Sequence, residues 1–171
     1  MTDAPTLTTE RLTLRAQRPE DFEPFAALLA SDRATYMGGP CSRRSAWLWF
    51  ASDSGAWPLL GLGGWTIERR SDHATIGQIG VNKPDFFPEV EIGWLLYPDH
   101  VRQGYACEAA AAARDWAFGP RGLDTLVSYI DPKNTRSIAL AERLSARLDT
   151  EAPRPDPEDL VYRYPGPGEV A

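Results

Sequence analysis

Residues 89–118 constrain this chain more than any other stretch. Val90, Ile92, Trp94 and Leu96 alternate with their neighbours in the period-two pattern of a strand, which Pro98 stops. A short turn through His100, Arg102 and Gln103 then leads into GYACEAAAAARDWAF, beginning at Gly104. Alanine loses almost no side-chain entropy in a helix, and Gly119-Pro120 cannot continue one, so the pattern predicts a helix over 104–118. A strand, a glycine-containing turn and a helix N-terminus together make an anion site. The first backbone N–H groups of the helix converge there, and the helix dipole adds partial positive charge. Gly104 lets the backbone come close, and Ala106 keeps the first turn free of bulk.

Charge makes such a local device necessary. The chain carries a formal net charge of −6, so a nucleic-acid backbone finds no overall attraction and no nucleic-acid partner is expected. Any anion must be held locally. Of the basic residues only Lys83 and Lys133 are lysine, an arginine bias that reflects genome composition more readily than chemistry. At 171 residues, 43% apolar and 25% charged, the chain reads as one globular domain spanning 1–171. It has no apolar run near the roughly 18 residues a membrane span needs, and MTDAPTLTTERL has no signal-peptide pattern, so no membrane partner and a cytoplasmic location are expected. Cys41 and Cys107 have no metal-ligand spacing, and neither a disulfide framework nor a metal site is expected.

Elsewhere the patterns predict a strand over 9–15, a helix from Pro19 to about Ser31, and a helix over 42–52 opened by Ser42. Gly and Pro over 55–64 read as a loop, followed by antiparallel strands at 65–68 and 74–81. A strand over 123–130, a helix over 134–146, a stiff acidic Pro-rich loop over 149–159 and a last strand over 160–164 complete the chain. Antiparallel strands first and βαβα units later place it in the mixed α/β (α+β) class around one sheet.

At the turn into the helix the sequence resembles the GCN5-related N-acetyltransferase (GNAT) superfamily, and within it the RimJ/RimL-like group. The family's cofactor motif falls on Val101-Arg102-Gln103-Gly104-Tyr105-Ala106, and CysGluAla follows where the group usually has Thr-Glu-Ala. EIGWLLYP is similar to the group's fourth strand, Asn134-Thr-Arg-Ser137 to its Asn-x-x-Ser helix start, and TERLTLR with RPEDF to its opening, so the likeness runs from about 9 to 164. Departures are Val101 for the motif's Gln or Arg, Cys107 for Thr, Ser145 for a Gly, and Ala141 where some members carry a catalytic Tyr.

The resemblance implies a mostly antiparallel central sheet with helices on both faces and a splayed pair of strands that binds acetyl-CoA. It implies acetyl transfer from acetyl-CoA to an amine, either a protein N-terminus or a small molecule, directly in a ternary complex. The backbone of Leu95, Leu96 and Tyr97 would then hold the pantetheine arm, and that of Arg102, Gln103, Gly104, Tyr105, Ala106 and Cys107 the pyrophosphate, with Asn134 also on the cofactor. Ser137 matches a thiolate donor of some relatives, and Glu91 lies on the strand from which a base would act. Each has a plainer reading: Glu91 as a structural carboxylate, Cys107 as a small packed residue, His73 and His100 as exposed turn residues, and Arg69-Arg70 as a solvated turn. Trp47 and Trp49 either fill core or bound the acceptor pocket. Members of the group often dimerise, so a homodimer is a further expectation. One rival reading is a degenerate domain that binds acyl-CoA without turnover, and another an unrelated nucleotide-binding α/β protein.

Overall fold

The computed structural model describes residues 3–166 and 168. One eight-stranded sheet runs in the order β1-β2-β3-β4-β5-β6-β8-β7, with β1 Leu7–Thr8, β2 Leu12–Ala16, β3 Gly63–Arg69, β4 Thr75–Asn82, β5 Glu91–Leu96, β6 Val127–Ile130, β7 Arg147–Leu148 and β8 Leu160–Arg163. Every pairing is antiparallel except β5 with β6, which is parallel and has a single register pair, Glu91 with Val127. Helices α1 (Phe22–Leu29) and α2 (Arg43–Leu60) cover one face. Helices α3 (Tyr105–Phe118) and α4 (Thr135–Arg143) cover the other. This is the mixed α/β class expected from the patterning.

Alternation explains the two cores. Ile92 of β5 is buried in the larger cluster, with Trp94 and Leu96 packed against it, together with Leu12, Leu14 and the alanine face of α3. Leu95 packs instead against the second cluster, which joins Phe22, Phe25 and Leu29 of α1 to Ala46 and Phe50 of α2. Asp21, just before α1, ties this helix down: it accepts from both terminal nitrogens of Arg15, from Thr66 Oγ1 and from the Arg18 amide.

The loop expected over 55–64 is a correction. Helix α2 continues through Gly55 and Pro58 and stops only at Gly61, in the left-handed region at φ 63°. Tertiary packing overrides the local signal. Trp57 is buried, its indole N–H donates to the Gly64 carbonyl at 2.9 Å, and its ring meets Trp65 and Trp116 edge-on at 4.6 and 5.6 Å. The glycines belong to a strand passing close beneath a helix: a Cβ on Gly63 would lie 2.6 Å from Trp57 Nε1, and one on Gly64 2.9 Å from Asp53 Cβ. Strand β3 accordingly begins at Gly63 rather than Trp65.

Candidate functional site

Two features meet where β5 and β6 part. The first is the start of α3. Gly104 sits at φ 82°, Arg102 at φ 62°, and together they turn the chain so that the amides of Tyr105, Ala106 and Cys107 open the helix without partners inside it. Space above Gly104 is free except for Arg11 Nη2, 3.3 Å from where a Cβ would be. Sequence reasoning missed Arg11. Its guanidinium pairs with Glu108 at 2.7 Å, donates to the Gln103 carbonyl at 3.0 Å and lies over the Tyr105 ring. Thr9 Oγ1 and the Arg11 amide also donate to Glu108, and Arg70 holds the Thr9 and Glu10 carbonyls. The segment that opens the chain is therefore a strap fixing the first turn of α3. Arg69, paired with Asp72, and Arg70 are structural clamps rather than a solvated turn.

The second feature is the free edge of β5. In an antiparallel ladder successive residues point their backbone groups to opposite sides. The Tyr97 amide donates to the Ile76 carbonyl at 2.9 Å, so residues 97 and 95 face β4 and residues 92, 94 and 96 face β6. The Ser128 hydroxyl on β6 donates to the Ile92 carbonyl at 2.6 Å, and beyond that point the strands separate. This corrects the sequence expectation: the amides of Leu95 and Tyr97 are committed to the sheet, and those of Leu96 and Trp94 face the gap. A free β edge of this kind can accept an extended arm as an added strand. Asn134 caps α4, its Oδ1 accepting from the Ser137 amide at 3.3 Å, and both side chains line the gap. Cys107 packs partly buried against the core, in keeping with its plainer reading.

A cavity of about 1180 Å³ runs through the sheet between β5 and β6, from Asn134 and Ser137 on one face to Trp49 and Asp53 of α2 on the other. Its floor on the α2 side includes Gly80 and Gly93, paired across β4 and β5, and Gly64 continues this row of glycines on β3. Asp53, Asn82 and Glu91 lie over this row: the Asn82 amide sits 2.5 Å from where a Cβ on Gly80 would be, and Glu91 Oε1 3.4 Å from one on Gly93. Glu91 keeps some surface open to the cavity but is otherwise enclosed by protein, and this desolvation, with Asp53 nearby, pushes its carboxyl up to about 8. Burial likewise pushes Asp53 up to about 7, against hydrogen bonds from Trp49 and Asn82. Both carboxyls are thereby brought close to neutrality, where an ionised fraction coexists with a basicity suited to general-base work.

Asp131, Asp156 and Asp159 line the cavity as well, and the one cation lining it among the described residues, Lys83, has its ammonium turned to the Phe87 carbonyl. Trp49, 37% exposed, bounds this space, whereas Trp47 stacks edge-on against Phe22. His73 is an exposed turn residue hydrogen-bonded to Glu68, as its plainer reading expects. Asp53 and Asn82 were missed by sequence reasoning, and no local signal marks either. No described helix is long and apolar enough to cross a membrane, and no cluster of three or more His, Cys, Asp or Glu among the described residues is placed to hold a metal ion.

Comparison with known proteins places this geometry. A sequence profile described as "Acetyltransferase (GNAT) domain" matches residues 11–147. The uncharacterised protein YkkB of Bacillus subtilis is 30% identical over 142 residues, covering 81% of this chain and 83% of that protein. The crystal structure of an acetyltransferase from Agrobacterium tumefaciens superposes with a TM-score of 0.93 at 50% identity over 96% of both chains. RimL, a ribosomal L7/L12 α-N-protein acetyltransferase solved with coenzyme A, has the same fold: TM-score 0.75, 16% identity, and 95% and 98% of the two chains covered.

Proposed function

This chain belongs to the acetyltransferase (GNAT) family and is an N-acetyltransferase; from that premise we propose that it transfers the acetyl group of acetyl-CoA directly to a primary amine held on the α2 side of the sheet. One observation carries the reading: β5 leads at its C-terminal end into the unpartnered first amides of α3, and the cavity β5 lines reaches carboxylates without a facing cation on the α2 side. The amides suit a polyanion, the carboxylates an ammonium. Residues on the α3 side fit acetyl-CoA, because the open α3 amides can take phosphate oxygens and the unpaired β5 edge can take the arm. When bound, acetyl-CoA supplies an acetyl group already activated as a thioester.

The chain's own residues have separable tasks. Leu96 and Trp94 hold the arm through backbone groups, and the α3 amides, steadied by Arg11 and Glu108, hold the pyrophosphate. Asn134 fixes the start of α4 and so the position of Ser137, whose hydroxyl supplies a proton to the departing sulfur. Glu91 takes a proton from the ammonium, which frees the nitrogen lone pair for attack at the thioester carbonyl. Because its carboxyl titrates near 8, Glu91 is a stronger base than an exposed carboxylate.

The test follows free thiol release from acetyl-CoA with a panel of amines, in parallel with acetyl-CoA binding. Wild type releases thiol with at least one amine; Glu91→Gln binds acetyl-CoA normally and loses about a hundredfold or more in kcat/KM. Binding without thiol release from any amine would favour the rival reading of a catalytically silent acyl-CoA sensor.

A further inference from the structure

We propose that Asp53, Asn82 and Glu91 form a three-acceptor seat for the primary ammonium of the acceptor, with Asp53 holding the charge while Glu91 takes the proton. The seat rests on the acetyltransferase reading above, and its test is built to fail separately from it.

Hydrogen-bond accounting leads to it. Asn82 Nδ2 donates to Asp53 Oδ1 at 3.2 Å, the orientation that an ionised Asp53 requires because a carboxylate only accepts. That fixes Asn82 Oδ1 as the remaining atom, and it is buried with no hydrogen-bond partner. Glu91 is the cross-strand register partner of Asn82, so the two side chains rise from one row of the sheet, on the face α2 covers. Asp53 reaches the same face from α2, over Gly64 in the neighbouring glycine row. Two carboxylates and an orphaned amide oxygen thus gather in one cavity with no cation facing them. A primary ammonium brings three N–H donors and no acceptor, which matches this set. A tertiary ammonium brings a single N–H and could satisfy only one of the three.

The charged and titratable surroundings reinforce the seat. Asp53 faces the Trp49 indole from its own helix and Asn82 from β4. Glu91 faces Asp53 from α2, the Tyr129 amide from β6, Asp159 from the segment before β8 and Tyr164 beyond it. None of these groups is a cation. Burial of both carboxyls without a positive partner raises their affinity for protons, and an entering ammonium removes that penalty by lending its own charge. The proton balance is simple. One N–H proton passes from the ammonium to Glu91, the neutral nitrogen forms the bond to the acetyl carbon as the carbon–sulfur bond breaks, and a second N–H proton is lost to balance the proton gained by sulfur.

The experiment follows side-chain carboxyl ¹³C resonances against pH in wild type, Asp53→Asn and Asp53→Glu, with Glu91→Gln to assign the Glu91 signal. Benzylammonium is the probe and N,N-dimethylbenzylammonium its control. In wild type, benzylammonium lowers both midpoints and the dimethyl control leaves them in place. Asp53→Asn lowers the Glu91 midpoint by about one unit and weakens benzylammonium about tenfold, Asp53→Glu restores much of both, and acetyl-CoA affinity stays unchanged. Wild-type carboxyls that ignore benzylammonium, equal binding of the dimethyl control, or an Asp53→Asn protein with wild-type midpoints would overturn the seat. If the midpoints respond but no acetyl group moves to any amine, the seat stands and the enzymatic reading falls. If Asp53→Asn acetylates benzylamine with wild-type KM and pH profile, the reading stands and the seat falls.

Discussion

The two sides of the sheet solve opposite electrostatic problems by opposite means. On the α3 side an anion is met by backbone: helix amides released by two left-handed residues, Arg102 and Gly104, and a strand edge left open at Trp94 and Leu96. On the α2 side a cation is met by side chains from three elements, Asp53, Asn82 and Glu91, set over a glycine row. Backbone binding needs only the right local conformation, and it lets a chain of net charge −6 hold a polyanion without a basic surface. Side-chain binding needs tertiary structure, and it leaves buried carboxyls that oppose folding until a ligand arrives.

The largest effect should come from closing the backbone end. Gly104→Trp should weaken acetyl-CoA, measured by calorimetry, by about a hundredfold or more, because it fills the approach to the α3 amides. The left-handed conformation adds a strain of about 1–2 kcal/mol, small beside typical domain stability, so the variant should still fold. Normal binding by that variant would break the comparison at its first term.

Next in size is the pH dependence of stability without ligand. In the unfolded chain both carboxyls ionise near 4; in the folded chain Asp53 ionises near 7 and Glu91 near 8. Between those values the unfolded chain has released protons that the folded chain keeps, so stability falls as pH rises through the window and levels off above about 8. The melting temperature should drop by several degrees from about pH 5 to 8, and Glu91→Gln should flatten the decline. A melting curve that does not move would mean the two carboxyls are not confined as described.

A smaller effect tests the glycine row. In Gly80→Ala the new methyl would sit 2.5 Å from Asn82 Nδ2, the mobile end of a side chain, so Asn82 should swing off Asp53 while the sheet holds. KM for the acceptor should rise about tenfold with acetyl-CoA affinity unchanged, as steady-state kinetics and calorimetry would separate. Smallest of all should be Arg102→Ala, which removes an exposed charge and leaves the amides in place: less than about threefold in acetyl-CoA affinity. A loss as large as that of Gly104→Trp would show that side-chain charge, not backbone, holds the anion.

The α3 end was legible in the sequence because its information is local. Alternation through Ile92, Trp94 and Leu96, the stop at Pro98, Gly104 and the alanine run each act on their own neighbours. Even there, which amides are free depended on register: the Tyr97 amide is spent on Ile76, a residue of another strand. Helix α2 shows the converse. Gly55 and Pro58 signal a break, yet three tryptophans brought together from α2, β3 and α3 hold the helix through both.

By itself the sequence determined the class of fold, the strand-turn-helix unit and the local device for an anion, since these follow from periodicity, propensity and the conformations glycine allows. Only the tertiary structure decided the acceptor end. Asp53 sits in the polar run Ser52-Asp-Ser-Gly of a helix and Asn82 at the end of a strand, and neither differs locally from a solvated residue. Their unusual protonation and hydrogen bonding come from being enclosed together with Glu91, and enclosure is a property of packing between distant segments that no local pattern encodes.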